Sequence, residues 1–299
     1  MTILLLSVDM SKPDFVVCHK CKYTKTKYHA VRRNKSGDKK IYRCLRCSSF
    51  TTPDDGFKKM KNAREIVSAG IELYYAGVSL RETSNILKRL FGINVSWMSI
   101  LRWVRKYSKY VKKFTNMKRP NLSGKWSVDE KFVKIKGKKG YIWLVKDKKR
   151  GFVIRYVLSD NRRGSNAGKL FRKAKKVGNP KSINRDKYAG YPRQVRKHFP
   201  DADDNVSKGF WHKHNNNSIE STNGEFNQRY KTMRCFGSTK SANEIIDGWI
   251  THHNFVKRDR KRNKTNAQRV GIKEVPDKMP WMWMISKTAF INNLQSANF

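Results

Sequence analysis

Hydrophobic positions change their spacing along the chain, and each change marks a different predicted unit. Residues 15–56 contain two short β-prone runs, 28–31 and 41–43, which predict strands joined by a turn at 34–38. From Asn62 the apolar positions recur every three or four residues, as on one face of a helix. The sequence therefore predicts a small β unit followed by a helical unit.

The helical unit contains its own start and stop signals. Gly77 ends a first helix, Ser79 and Glu82 form a capping-box pattern that begins a second, and Gly92 ends it. Ser96 is predicted to cap a third helix. The residues predicted to point inward from the second and third helices are Leu80, Thr83, Leu87, Leu90, Phe91, Trp97, Ile100, Leu101 and Val104.

A basic helix that follows a helix and a short glycine-containing turn is typical of helix-turn-helix DNA-binding units. The alternative is an ordinary helical hairpin with a Lys-rich solvated face. We expect the polar face of the third helix to contact DNA through Ser99, Arg102, Arg105 and Lys106.

Beyond residue 122 the pattern returns to strands. Residues 126–135, 141–145 and 152–158 predict three consecutive strands, a helix capped by Ser165 follows, and residues 182–185 predict a fourth strand. This order predicts an α/β fold class, with a mixed sheet and flanking helices.

Four of the five cysteines form two C-x-x-C pairs, and Cys235 stands alone. Four thiolates at this spacing suit tetrahedral Zn²⁺, and a complete set of sulfur ligands indicates a structural ion. A redox pair or chance pairing is the alternative. The predicted zinc ligands are Cys18, Cys21, Cys44 and Cys47.

Charge narrows the choice of partner. The 299 residues include 67 Lys and Arg against 23 Asp and Glu, a formal net charge of +44. Such an excess favours a polyanionic partner, nucleic acid first, over a merely solvated Lys-rich surface. No apolar run approaches the ~20 residues that a bilayer requires, so we expect an intracellular protein, cytoplasmic and nucleoid-associated, with no membrane partner.

Three carboxylates stand out in this basic background. Asp129 lies inside a predicted strand, Asp186 ends another, and Glu220 lies at the start of a helix near Asn217. Together they can supply the oxygen ligands of two Mg²⁺ ions. Each has a structural alternative, because strand alternation allows only one of Asp129 and its neighbour to face the site, while Asp186 and Glu220 can serve as helix-capping residues.

The segments around these acids, 126–131, 183–186 and 217–224, resemble the three signatures of DDE transposases, and the resemblance extends over residues 122–272. That family has an RNase H-like fold, shared with retroviral integrases, and its insertion-sequence members move DNA elements by strand transfer. The resemblance implies that Asp129, Asp186 and Glu220 are the catalytic residues and bind Mg²⁺ or Mn²⁺, and it passes over the neighbour of Asp129, Glu130.

One position departs from the family pattern. Many members have Lys or Arg seven residues after the catalytic Glu, and this chain has Asn227 there. We expect Arg229 and Lys231, predicted to be exposed, to contact DNA phosphates instead.

The implied function is metal-dependent DNA cleavage and strand transfer. The implied substrates are the terminal inverted repeats of an insertion sequence and a target DNA, and the implied assembly is a homodimer or higher oligomer. The alternatives are a domesticated DNA-binding regulator with an inactive catalytic domain and an RNase H-like nuclease.

The predicted domains are an N-terminal tail (1–14), a zinc ribbon (15–56), a helix-turn-helix domain (57–117), an RNase H-like catalytic domain (122–256) and a basic C-terminal tail (257–299).

Overall fold

The structure is a computed structural model that describes residues 16–34, 37–207 and 215–297. The predicted N-terminal tail (1–14) and part of the turn at 34–38 lie outside the described residues. No helix within the described ranges is long and apolar enough to cross a membrane.

A three-stranded antiparallel sheet opens the described chain. Its strands are β1 (Thr26–Arg32), β2 (Lys39–Cys44) and β3 (Phe50–Thr51), in the order β1-β2-β3. The first two strands agree with prediction, whereas β3, only two residues long, was not predicted. Both C-x-x-C pairs lie at turns of this unit, in which Cys18 and Cys44 are buried.

Three helices follow, at the predicted positions. They are α1 (Arg64–Tyr75), α2 (Leu80–Phe91) and α3 (Trp97–Met117). The Ser79 side chain accepts from the Glu82 N–H, Gly92 adopts a left-handed conformation with φ 65°, and the Ser96 side chain accepts from the Ser99 N–H. These contacts confirm the predicted caps and stops.

The inward stripes of α2 and α3 are only partly as predicted. Thr83, Leu87, Ile100 and Val104 are buried. Leu90 (70% exposed), Phe91 and Trp97 (40% exposed) are not, so these three predictions were wrong. The main partners of α2 are α1 and α3, which leave its last turn largely uncovered, and Trp97 begins α3 on the solvent side.

The five-stranded sheet of the second half is mixed. Its strands are β4 (Lys125–Ile135), β5 (Lys138–Asp147), β6 (Val153–Ser159), β7 (Ser182–Arg185) and β8 (Asp203–Val206), in the order β6-β5-β4-β7-β8. The first three form an antiparallel meander, and β7 pairs in parallel with both β4 and β8. The predicted mixed sheet with helices is confirmed, with β8 as an additional edge strand.

The described residues form six further helices: α4 (Gly164–Lys175), α5 (Pro192–His198), α6 (Asn217–Met233), α7 (Thr239–Phe255), α8 (Asn266–Arg269) and α9 (Pro280–Ala297). The predicted C-terminal tail is thus partly helical. Trp281 of α9 is fully buried and stacks on Tyr75 of α1, with ring centroids 5.5 Å apart.

The helical unit and the sheet unit share one apolar core. Helix α3 lies along α7, and the buried hydrophobic residues form one cluster that runs from Phe57 to Ile285. Two ion pairs cross the α3–α7 contact, Arg105 to Glu244 at 2.6 Å and Lys112 to Asp247 at 2.8 Å. The predicted 57–117 and 122–256 units are therefore packed on each other through a helix that belongs to the first.

Candidate active site

Strand register brings Asp129 and Asp186 together. In the parallel pair β4–β7, Ser127 is opposite Asn184. Two residues further along each chain are Asp129, still in β4, and Asp186, directly after the end of β7. Because parallel strands advance in step, the two carboxylates reach the same edge of the sheet.

A third carboxylate lies in the same cluster. Asp129, Glu130 and Asp186 each offer one oxygen, and these oxygens lie within 4.8 Å of one another. The expectation that only one of the two adjacent acids faces the site was therefore wrong. Strand alternation sets only the direction of the Cβ atom. The longer Glu130 side chain still reaches the cluster, where Arg162 and Tyr191 donate hydrogen bonds to it.

Those partners distinguish Glu130 from the two aspartates. Its side chain is 3% exposed, and it accepts hydrogen bonds from Arg162 Nε at 2.6 Å and from the Tyr191 hydroxyl. Arg162 also lies 3.8 Å from Asp186, whose side chain is 39% exposed. Glu130 is thus already paired, whereas Asp186 is open to solvent.

The environment of Asp129 favours a cation. Burial, followed by the neighbouring charges of Glu130 and Asp186, raises the pKa of Asp129 to about 7. A divalent cation between these oxygens would offset the mutual repulsion, and oxygen donors of this kind are the ligands that Mg²⁺ and similar ions prefer. The donor set therefore fits a divalent metal.

Glu220 lies on the helix face turned toward this cluster. Asn216, just before α6, donates to the Val128 carbonyl at 3.2 Å, and Asn223 donates to Asp129 Oδ2 at 2.8 Å. Glu220 lies between them, four residues after the first and three before the second, so all three share one helical face. Glu220 is exposed, and its carboxylate is outside the group of three oxygens within 4.8 Å.

The capping explanation for Glu220 lacks support. Helix α6 begins at Asn217, its N-cap is Asn216, and no side chain accepts a capping hydrogen bond there. Asp186 does accept the Tyr188 N–H at 3.0 Å through one oxygen, and α5 begins only at Pro192. Neither acid is therefore occupied as a helix cap.

A buried lysine, not singled out in the sequence, fixes the start of α6. Lys146 of β5 donates to Thr222 Oγ1 at 2.6 Å and to the Ser218 carbonyl at 2.9 Å. Burial lowers the pKa of Lys146 to about 8. Its signal in the sequence was a lysine directly after the apolar run 141–145 of β5.

The cysteines form a second possible metal site. Cys18 and Cys47 have their Sγ atoms 3.5 Å apart, as do Cys21 and Cys44, and all four sulfurs lie within 4.8 Å of one another. Tetrahedral Zn²⁺ with Zn–S bonds of about 2.3 Å requires S–S separations near 3.8 Å. The four sulfurs thus fit zinc with little adjustment.

The predicted DNA-contacting residues have different surroundings. Arg102 and Lys106 are exposed on α3, Ser99 is part of the cap of that helix, and Arg105 is paired with Glu244 of α7. The ion pair places Arg105 in the contact between α3 and the sheet unit. Arg102 and Lys106 remain accessible for contact with a partner.

The prediction that Arg229 is exposed was wrong. It is 4% exposed, donates to the carbonyls of Tyr74 and Val78 at 2.8 Å each, and lies over the Tyr74 ring at 3.9 Å. The guanidinium satisfies carbonyls at the end of α1, a role that helical spacing within α6 cannot show. Lys231, the other predicted contact, is exposed.

Known proteins that resemble this chain do so in its second half. Residues 123–259 match the model of a DDE domain. The mixed five-stranded sheet with its flanking helices agrees with the predicted α/β fold class.

Among curated proteins, the transposase for insertion sequence element IS257 in transposon Tn4003 of Staphylococcus aureus is 36% identical over 81 residues, which are 27% of this chain and 35% of that protein. The transposase for insertion sequence-like element IS431mec of S. aureus strain Mu50 is 35% identical with the same coverage. The chain thus spans about a third of the length of the curated relatives it matches.

Two solved structures are also similar. The HTLV-2 integrase catalytic core domain in complex with magnesium has 17% identity, a TM-score of 0.37 and coverage of 50% of this chain and 95% of that chain. The simian T-cell lymphotropic virus intasome in complex with PP2A regulatory subunit B56 gamma has 17% identity, a TM-score of 0.41 and coverage of 52% and 56%. These likenesses concern the overall fold alone.

Proposed function

We propose that the protein is a transposase that cuts and joins DNA strands with divalent metal ions, because residues 123–259 match the model of a DDE domain and 81 residues are 36% identical to a transposase of an insertion sequence. The observation that carries the proposal is the meeting of Asp129 and Asp186 at one sheet edge, beneath the face of α6 that bears Glu220. The net charge of +44 suits a DNA partner.

Asp129 and Asp186 are the proposed ligands that hold the metal, with Glu220 completing the set from α6. Asn223 keeps the Asp129 carboxylate in place through its amide, and Lys146 anchors the first turn of α6 to β5. Glu130 is assigned to holding Arg162 and Tyr191 in place, because both already donate to it.

Mg²⁺ or Mn²⁺ bound by these carboxylates would supply activation of the attacking oxygen and charge stabilisation at the leaving oxygen. In the first proposed step a water oxygen attacks phosphorus and the bond to the 3′ oxygen breaks. In the second, the freed 3′ hydroxyl attacks a phosphodiester of target DNA, a new bond forms and the target's 3′ oxygen leaves. The DNA is thereby cut and rejoined without a covalent bond to the protein.

The same proposal extends to the rest of the chain. The four-cysteine unit is proposed to bind Zn²⁺, and the exposed Arg102 and Lys106 of α3, with Lys231 of α6, to contact DNA. The terminal inverted repeats of an insertion sequence are the proposed bound ends. Two ends require two active sites, so a homodimer or higher oligomer on DNA is proposed.

The test is an end-joining assay with labelled DNA from the ends of the element, an unlabelled plasmid and Mg²⁺. Asp129→Asn and Asp186→Asn are expected to lower nicking and joining by roughly a thousandfold or more, with DNA affinity nearly intact. The matched control is Asp160→Asn, at an exposed position outside the cluster, which is expected to act like wild type.

Three results would contradict the proposal. Nicking without joining by the wild-type protein would indicate a nuclease. Sequence-specific binding without cleavage would indicate a regulator. Full activity in either cluster variant would remove that aspartate from the site.

A further inference from the structure

The face of α6 opposite Glu220 lines a basic cavity. Ser218, Thr222 and Glu225 lie on that face, about half a turn around the helix from Glu220. The cavity has a volume of about 350 Å³. Besides Lys146, its cationic lining residues are Lys148, Lys149, Lys257, Arg258, Arg262 and Arg269.

The cavity walls are built by defined contacts between two segments. Gly151, in the turn between β5 and β6, has φ +77°, and a Cβ atom there would lie 2.6 Å from Asn266 Oδ1. Arg269 donates to the Lys149 carbonyl at 2.5 Å. A glycine at 151 therefore lets the turn approach α8 closely, which holds the two walls of the cavity together.

The basic run 257–264 forms an ordered turn at the cavity. Arg258 and Thr265 form a β-bridge, and Asp259 Oδ1 accepts the N–H groups of Lys261 and Arg262 at 3.0 and 2.9 Å. Thr265 then caps α8. These bonds give the cationic side chains defined positions, unlike a loose solvated run.

Negative charge within the cavity does not balance the positive charge. Its two carboxylates are Glu225 and Asp259. Glu225 is shared between His253 at 3.1 Å and Lys257 at 2.9 Å, and Asp259 between Arg262 at 3.6 Å and Arg269 at 4.0 Å. Seven Lys and Arg side chains thus face two acids in the lining, and Arg258 also pairs with Asp277 outside it; the remaining excess of positive charge favours an anion.

The shape of the basic surface favours a polymer over a small anion. Lys149, Lys257 and Arg262 are exposed at the rim, and Arg260, Lys261 and Lys264 continue the same basic surface outside it. A single phosphate would fill the cavity and leave the outer cations unpaired. A nucleic-acid strand presents a row of phosphates that neutralises both groups.

We propose that this cavity binds backbone phosphates of a DNA segment distinct from the one at the carboxylates. An α-helix with its side chains is roughly 10 Å across, so a phosphate on this side of α6 is separate from a phosphate being cleaved on the other side. The inference rests on the proposed function, which supplies DNA as the partner. It adds a second DNA contact to the catalytic unit.

The test compares Lys149→Ala/Arg262→Ala with the control Arg172→Ala/Lys176→Ala in the full-length chain. Each pair removes two exposed positive charges, at the cavity rim or on and just after α4. Fluorescence anisotropy with a labelled DNA duplex gives the affinity at several salt concentrations. The slope of log affinity against log salt reports the number of phosphates contacted, at roughly 0.9 per phosphate.

For the cavity pair we expect affinity to fall about tenfold at low salt and the slope to become shallower by roughly 2. The control pair should change the slope by less than about 0.5. Equal effects of the two pairs would overturn the inference, because they would show only general surface charge. Stabilisation by inorganic phosphate with an unchanged DNA slope would also overturn it, in favour of a small-anion site.

These outcomes are separable from failure of the proposed function. Cleavage and joining by the wild-type protein are measured on the same DNA, and neither Lys149 nor Arg262 belongs to the proposed catalytic residues. A protein that cuts DNA while the cavity pair behaves like the control keeps its proposed function and loses this site.

Discussion

The Asn223 side chain donates a 2.8 Å hydrogen bond to Asp129 Oδ2, and this bond joins α6 to the central strand β4. The other carboxylate oxygen of Asp129 accepts the neighbouring Glu130 N–H, and it is the oxygen that we propose as the metal ligand. The amide also fixes the distance between the helix face of Glu220 and the two aspartates. Asn223 is therefore a positioning residue for the metal site.

The first prediction concerns this bond. Asn223→Ala is expected to raise the Mg²⁺ concentration needed for half-maximal DNA cleavage by about 10- to 100-fold, as is typical when a partner of a metal ligand is lost. Cleavage at saturating Mg²⁺ should fall less. Gln228→Ala, at an exposed position of the same helix, is the control, and equal metal dependence in both variants would contradict the role of Asn223.

The second prediction concerns Arg229, whose guanidinium is buried against the end of α1. Arg229→Met leaves the Tyr74 and Val78 carbonyls without these donors. Loss of two charged hydrogen bonds should lower the free energy of unfolding by about 2–4 kcal/mol, measured by chemical denaturation. Lys231→Met, two residues on and exposed, should change it by less than about 0.5 kcal/mol.

A result in which Arg229→Met leaves stability unchanged but weakens DNA binding would contradict the structural role of Arg229. That pattern is expected instead for Lys231→Met, which should weaken DNA binding and leave the fold intact.

The third prediction concerns zinc. The purified protein is expected to contain one Zn²⁺ per chain by elemental analysis, and Cys44→Ser, at a buried ligand position, should lose it. Because metal binding by such a site supplies much of the folding free energy of a small unit, the variant's β1–β3 sheet should become sensitive to protease. Cys235→Ser should keep its zinc, and zinc loss in both variants would contradict the four-sulfur assignment.

The fourth prediction concerns acid stability. Burial, together with the charges of His253 and Lys257, lowers the pKa of His252 to about 3. The unfolded chain takes up this proton near pH 6.5, so between about pH 6.5 and 3 the unfolded state binds one more proton than the folded state. The free energy of unfolding should therefore decrease as the pH is lowered through this window, by up to ~1.4 kcal/mol per pH unit from this group.

His252→Phe should make that fall shallower between pH 6.5 and 5, because it removes the proton uptake and keeps a ring beside Tyr75. Denaturant unfolding at several pH values measures the slope. An unchanged slope in the variant would show that His252 does not contribute to acid sensitivity.

The elements that local signals control were predictable. The structure agrees with each prediction that depends on neighbours within a few residues. These are the caps at Ser79 and Ser96, the left-handed Gly92 and the two C-x-x-C pairs. The alternation of β4 likewise marked the strand that carries Asp129. In these cases the chain near the residue is enough to determine its conformation.

The predicted cap at Ser165 was wrong, because α4 begins at Gly164 and its N-cap is Arg163. The other failures depend on partners far away in sequence. Arg229 is buried because it donates to the carbonyls of Tyr74 and Val78, more than 150 residues earlier in the chain. Leu90 is exposed in the described part of the chain, although its helical spacing predicts an inward direction. Glu130 joins the acidic cluster because Arg162 and Tyr191 hold it there.

The central claim is that Glu220, and not Glu130, completes the metal site with Asp129 and Asp186. Geometry groups Glu130 with the aspartates, but its oxygens are engaged by Arg162 and Tyr191, whereas Glu220 is exposed on the facing helix. The two glutamates therefore make opposite predictions for the same conservative change.

The most direct measurement is the rate of DNA cleavage at saturating Mg²⁺ for Glu220→Gln and Glu130→Gln, with DNA affinity measured in parallel. The account predicts that Glu220→Gln loses roughly a thousandfold or more while Glu130→Gln stays within about tenfold of wild type, because glutamine still accepts a hydrogen bond. Cleavage that survives in Glu220→Gln and disappears in Glu130→Gln would contradict it.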